Sequence, residues 1–145
     1  MALPQEIKPL NSEIQDALVK TTDGQWIEYE PGASLKILYL GNESGQWAVL
    51  FRWKKGYVAG QHKHLSGSHT FVLKGKLQVR DGVLNAGDYV YEPNGMLHGE
   101  TKALEDTEYL FICLGPLLIF TDDAFTGYFG WEELARMRDN GVAAT

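Results

Sequence analysis

The chain has 145 residues and a formal charge of -6, from 13 Lys and Arg against 19 Asp and Glu. That length is one domain's worth, and an acidic balance without a basic block argues against functions that neutralise a nucleic-acid backbone. A hydrophobic content of 44% and a charged content of 22% describe a globular chain, not a disordered one. No apolar run approaches the roughly 20 residues of a bilayer span. The N-terminus MALPQEIKPL lacks a basic region followed by an apolar stretch and a cleavage site. A cytoplasmic protein with no membrane and no nucleic-acid partner is therefore expected. The single cysteine, Cys113, excludes an intrachain disulfide or a cysteine-cluster metal site, and its place between Ile112 and Leu114 reads as a small buried hydrophobe.

Residues 1–24 are weakly periodic and read as an N-terminal arm, with a short helical turn expected around Ile14 to Val19. Residues 25–145 read as a single domain. From Trp26 onward, short aromatic and β-branched runs alternate with Gly, Asn, Asp and Pro. Strands are expected at Trp26–Tyr29, Ser34–Leu40, Gln46–Trp53, His69–Leu73, Lys76–Arg80, Asp88–Glu92 and Glu108–Leu114. Pro31-Gly32, the stretch closed by Gly45, and Asp81-Gly82 punctuate them, while Gly75 separates two strands with almost no linker. Many short strands without intervening helices point to an all-β sandwich or double-sheet barrel. The aromatic cluster Phe125, Tyr128, Phe129 and Trp131 is placed to close that barrel or to pack in a dimer interface. One helix is expected at the C-terminus. Trp131, Leu134 and Met137 form its apolar stripe, Glu132 and Glu133 occupy its first turn, Arg136 and Arg138 its last, and Asn140-Gly141 ends it. A helix this short must dock, on a sheet face or over a barrel mouth.

Four histidines carry the chemistry, and three of them, His62, His64 and His69, fall within eight residues. His62 and His64 are two apart, which on a strand puts both imidazoles on one face. That arrangement builds a poor core but can present two nitrogens to one ion. His98 follows the rigid Pro93-Asn94-Gly95 turn, where a strand begin can lie beside a segment distant in sequence.

The spacing resembles the two signatures of the cupin superfamily. Gly56, His62, His64 and Gly75 fall in register with the first, and Gly87, Pro93, Gly95 and His98 with the second, although its final Asn is replaced by Lys102. The resemblance implies a cupin domain over 25–145: a double-stranded β-helix, or jelly roll, with a short C-terminal helix. Cupins usually supply a glutamate ligand where this chain has Ser68 or, one residue on, His69. The metal set left by the motif is His62, His64 and His98. That set, with the segments Gly45–Leu50, His69–Gly75 and Gly87–Pro93, is similar to the cupins that cleave acetylacetone or 2,4'-dihydroxyacetophenone, and to the ChrR-type anti-sigma cupin domains. The acetophenone-cleaving group implies an added carboxylate, for which Asp81 is the nearest candidate against its simpler reading as a turn residue. His69 stands as a catalytic candidate lining the pocket.

Nitrogen-rich sites suit iron, zinc, nickel or copper. With neutral imidazoles a divalent ion keeps its full charge of about +2, which attracts an anionic chelating substrate such as an enolate. Fe(II), the expected cofactor, would open dioxygenase cleavage of a C–C bond in a β-diketone or hydroxyacetophenone; zinc would restrict the site to non-redox chemistry. Glu92, Glu100, Gln61 and Gln78 are candidates to orient the histidines. A metal-containing binding or sensing cupin without turnover is the alternative, with a sugar isomerase a weaker third. The expected partners are a small apolar or aromatic enolisable substrate and a second copy of the chain in a homodimer.

Overall fold

The computed structural model describes residues 15–80, 82–122 and 124–141. Among the described residues, fourteen strands precede one helix: β1 (Ile27–Glu30), β2 (Ala33–Leu40), β3 (Trp47–Trp53), β4 (Val58–Ala59), β5 (His62–His64), β6 (Ser68–Lys74), β7 (Lys76–Val79), β8 (Gly82–Asn85), β9 (Tyr89–Glu92), β10 (Leu97–His98), β11 (Thr101–Ala103), β12 (Thr107–Cys113), β13 (Leu117–Thr121), β14 (Ala124–Phe129) and α1 (Trp131–Asn140). Each long strand predicted from sequence is present within a residue or two of its expected ends. The short ones, β4, β5, β10 and β11, are too brief for a period to register and exist because a neighbour pairs with them.

The strands form a jelly roll. One sheet has six strands in the order β1-β2-β3-β12-β6-β9, and two four-stranded sheets run β10-β5-β13-β14 and β4-β11-β7-β8. Neighbours distant in sequence, such as β3 and β12, pair antiparallel over seven residues from Thr107↔Trp53 to Cys113↔Trp47. Alternation assigns the faces. On β12, Thr107, Tyr109, Phe111 and Cys113 point inward; on β6, Ser68, Thr70 and Val72 do. One buried cluster joins the sheets, with Trp47, Val49 and Phe51 from β3, Val72 from β6, Leu77 from β7, Ala103 from β11 and Leu117 from β13. Its aromatic members pack tilted or edge-on, Trp47 on Phe111 at 5.3 Å and Phe51 on Tyr109 at 5.1 Å between ring centroids.

Gly75 makes the sharp β6–β7 junction possible. Its φ of +84° suits glycine, and a Cβ there would sit 2.8 Å from Thr107 Cα. The Thr107 hydroxyl then accepts from the Lys76 amide at 3.1 Å.

Two expectations are revised. Residues 15–20 form no helical turn, because the segment is weakly patterned; Ile14 lies outside the described residues. The arm instead ends on the outer face of the six-stranded sheet, where Lys36 Nζ donates to the Thr21 carbonyl at 2.8 Å and the Arg52 guanidinium lies 3.7 Å from the Trp26 ring centroid. The aromatic cluster at the C-terminus is divided between faces. Phe129 turns inward onto Trp47 at 5.5 Å, whereas Phe125 and Tyr128 stay exposed on β14. The helix docks as expected through Leu134, which is fully buried.

Candidate metal centre

The site begins with a turn. Gly95 has φ +82°, and its amide donates to the His64 carbonyl at 2.8 Å while the His64 amide donates to the Met96 carbonyl at 2.9 Å. These bonds clip the Pro93–Gly95 turn onto β5. They fix β10 in a register that sets His98 opposite His62 and Leu97 opposite Lys63. On its other side β5 pairs with β13, His62 with Ile119 and His64 with Leu117. Two residues adjacent by strand parity and a third more than thirty positions away are thereby gathered on one face.

His62, His64 and His98 each offer a ring nitrogen, and the three atoms lie within 4.8 Å of one another. His64 and His98 are buried and His62 half-buried. His62 Nδ1 is 3.1 Å from the Gly60 carbonyl. A carbonyl only accepts, so Nδ1 carries the proton and Nε2 keeps its lone pair. Burial lowers the pKa of all three rings, that of His64 to about 3 and that of His98 to about 4, with repulsion from neighbouring histidines adding to the effect at His64 and His98. Neutral imidazoles are the form that binds metals.

A carboxylate joins them. Glu92, at the end of β9, is buried; its Oε2 contacts His98 Nε2 and lies 3.8 Å from His64 Nε2. Burial raises its carboxyl pKa to about 7. Among the described residues no Lys or Arg forms an ion pair with it. Glu92 Oε2, His98 Nε2 and both nitrogens of His64 are buried without a hydrogen-bond partner. Buried polar atoms are rarely left so, and here Glu92 Oε2 and the Nε2 atoms of His64 and His98 lie together. A divalent cation fits this donor set: nitrogen-rich, largely desolvated and lacking any other counter-charge. The carboxylate also changes the expected charge. An ion held beside an ionised Glu92 presents a net charge of about +1, not the +2 of three neutral imidazoles alone.

The cluster borders a cavity of about 960 Å³ whose lining includes His62, Glu92, Thr70, Phe111 and Trp47. Met137 and Arg136 of α1 line it as well, so the terminal helix walls the chamber. Trp47, Phe51 and Trp53 of β3 and Tyr109 and Phe111 of β12 contribute to its apolar wall.

His69 is not part of this chamber. It sits between inward-facing Ser68 and Thr70 and so points to the opposite face of β6, where Nδ1 bonds the Tyr89 hydroxyl at 2.6 Å. There it lines a shallow depression with Phe71, Tyr89 and Leu110. Asp81 lies outside the described residues. Of the residues expected to orient the histidines, Gln61 lines the cavity, whereas Gln78 and Glu100 are exposed. Glu92 has a larger place than that expectation gave it. Its signal in the sequence is parity: in Tyr89-Val90-Tyr91-Glu92 it shares the inward face with Val90.

A jelly roll with a histidine cluster bordering an aromatic-lined chamber defines a cupin with a candidate metal centre. The chain belongs to the family of ChrR cupin-like domains, whose family model matches residues 14–118. It is 27% identical over 127 residues to the acetylacetone-cleaving enzyme of Acinetobacter johnsonii, covering 79% of this chain and 83% of that one. The crystal structure of the acetylacetone dioxygenase from that organism superposes with a TM-score of 0.79 at 25% identity, over 84% of this chain and 90% of the other. A provisionally assigned acetylacetone dioxygenase of Methylibium petroleiphilum gives a TM-score of 0.84 at 26% identity, over 90% and 99% of the two chains. Among the described residues no helix is long and apolar enough to cross a membrane.

Proposed function

We propose that this cupin is an Fe(II)-dependent dioxygenase that cleaves a C–C bond of a β-diketone or hydroxyacetophenone-like substrate, with His62, His64 and His98 as the metal ligands. One observation carries the reading: three neutral, desolvated histidine nitrogens lie within 4.8 Å of one another at the wall of an aromatic-lined chamber. The similarity to acetylacetone-cleaving proteins supports the same assignment.

Bound Fe(II) would supply the redox chemistry that lets dioxygen break a C–C bond, which zinc lacks. The chain supplies the rest. The Gly60 carbonyl holds the His62 tautomer so that Nε2 faces the centre. Trp47 and Phe111 exclude water and offer flat surfaces to an aromatic or planar enolised substrate. Arg136, on the helix that walls the chamber, places a positive charge in its lining, and Glu132 and Glu133 pair with it. A homodimer belongs to the same reading, and its support is the outer sheet face, where Phe71, Leu73, Tyr89 and Tyr91 are exposed.

Anaerobic reconstitution with Fe(II), followed by oxygen uptake with acetylacetone, aryl β-diketones and hydroxyacetophenones, tests the proposal. Substrate-dependent uptake that His98→Ala abolishes is expected. Stoichiometric metal with no uptake across the panel favours the second reading, a ChrR-like binding or sensing module, which the family match supports in its own right.

A further inference from the structure

We propose that Glu92 is a fourth ligand of the metal held by His62, His64 and His98, delivered from β9 into the place that Ser68 leaves on β6. The inference rests on the metal-centre reading above and adds a residue, a charge and a substrate preference to it.

The geometry follows from strand pairing. Ser68 and Glu92 are directly opposed across the β6–β9 ladder. Both are buried, Ser68 completely and Glu92 at 7% exposure, so both point into the barrel. Directly opposed residues hold their Cβ atoms about 5 Å apart, close enough for a longer side chain on one strand to take over a position served from the other. The serine hydroxyl is short and finds no hydrogen-bond partner. The glutamate carries its carboxylate to the histidines, with Oε2 against His98 Nε2 and 3.8 Å from His64 Nε2.

The energetics point the same way. A buried carboxylate with no cationic partner is costly, and so are buried ring nitrogens without partners. A proton on His98 Nε2 would serve Glu92 but would leave His64 Nε2 orphaned. One divalent ion takes Oε2 and one nitrogen from each ring, which of these atoms leaves only the second nitrogen of His64 without a partner. The centre then carries about +1, so a monoanionic enolate neutralises it, and a dianionic oxo acid overshoots.

The test is metal binding by the full chain, independent of turnover. Zn(II) affinity is measured by chelator competition for wild type, Glu92→Gln, Ser68→Glu and the double variant Ser68→Glu/Glu92→Gln, with Co(II) visible spectra of the same proteins and metal-free circular dichroism to monitor folding. Glu92→Gln should weaken Zn(II) binding by about tenfold or more and shift the Co(II) bands. The double variant should recover most of that loss, because the carboxylate returns to the same centre from the neighbouring strand. Glu92→Gln affinity within about twofold of wild type, or an unchanged Co(II) spectrum, would overturn the proposal while leaving the three-histidine centre standing. Wild-type protein that binds neither metal would instead overturn the metal-centre reading itself.

Discussion

Ser68 and Glu92 face each other across two strands, and the carboxylate of the second reaches the histidines that the hydroxyl of the first cannot. The centre is therefore an arrangement of three strand pairings: β5 with β10 sets His62 opposite His98, β5 with β13 seats His64 in the core, and β6 with β9 brings in Glu92.

Metal should stabilise the fold by linkage, because the site exists only when β5, β9 and β10 are assembled. Zn(II) at 100 times its dissociation constant should add about 2.7 kcal/mol. Thermal unfolding with and without Zn(II), reversed by chelator, reads this directly. His64→Ala should abolish the metal-dependent rise in Tm. A rise of equal size in that variant would place the ion elsewhere.

The metal-free protein should respond to pH in two opposed ways. The pKa values of His64 and His98 fall from 6.5 to about 3 and about 4 through burial. The unfolded chain then binds more protons than the native one in acid, so their contribution is full above pH 6.5 and is lost as pH falls through 4 and 3. Glu92 runs the other way. Its pKa is raised from 4.5 to about 7, so its contribution is present below pH 4.5 and lost as pH rises through 7. Metal-free Glu92→Gln should therefore gain stability over wild type at pH 8, on the order of 3 kcal/mol, and little at pH 4.5. Urea melts at both values measure the difference, and an equal effect at both would contradict a burial origin.

Cys113 should be inert in the native state. It is fully buried and burial pushes its thiol up to about 11, so neither access nor thiolate is available at neutral pH. A chromogenic disulfide reagent should label it only on denaturation. Rapid labelling of folded protein would contradict its inward place on β12.

Gly75→Ala should cost about 2 kcal/mol or more, since the new Cβ meets the β12 backbone and the positive φ is strained for alanine. Gly82→Ala, with open space around it, is the control and should change stability by well under 1 kcal/mol. Equal losses in the two would mean that loop entropy, not the close approach to Thr107, governs this junction.

Much of this was legible in sequence, and the misses at the site share one cause. Seven strands announced themselves because one face is buried and alternation over four to eight residues is visible, whereas β13 and β14 were not foreseen. The His-x-His pair and His98 were legible through their spacing to Gly56, Gly87 and Pro93-x-Gly95. The role of Glu92 was not, because ligand position here depends on which residues face each other across β6 and β9, and register is a tertiary fact. His69 misled for the same reason: nearness to His64 in sequence suggested the pocket, but the Ser66-Gly67 break resets the parity and the side chain leaves on the opposite face. The helical turn expected near Val19 failed because an arm with no apolar stripe gains nothing by coiling.

The most direct test of the account is metal content after anaerobic loading with Fe(II) and removal of excess, compared between wild type and His62→Ala, His64→Ala and His98→Ala. Close to one iron per wild-type chain and close to none in each variant are expected, with the variants still folded by circular dichroism. Wild-type protein that retains no iron, or variants that retain as much as wild type, would contradict it.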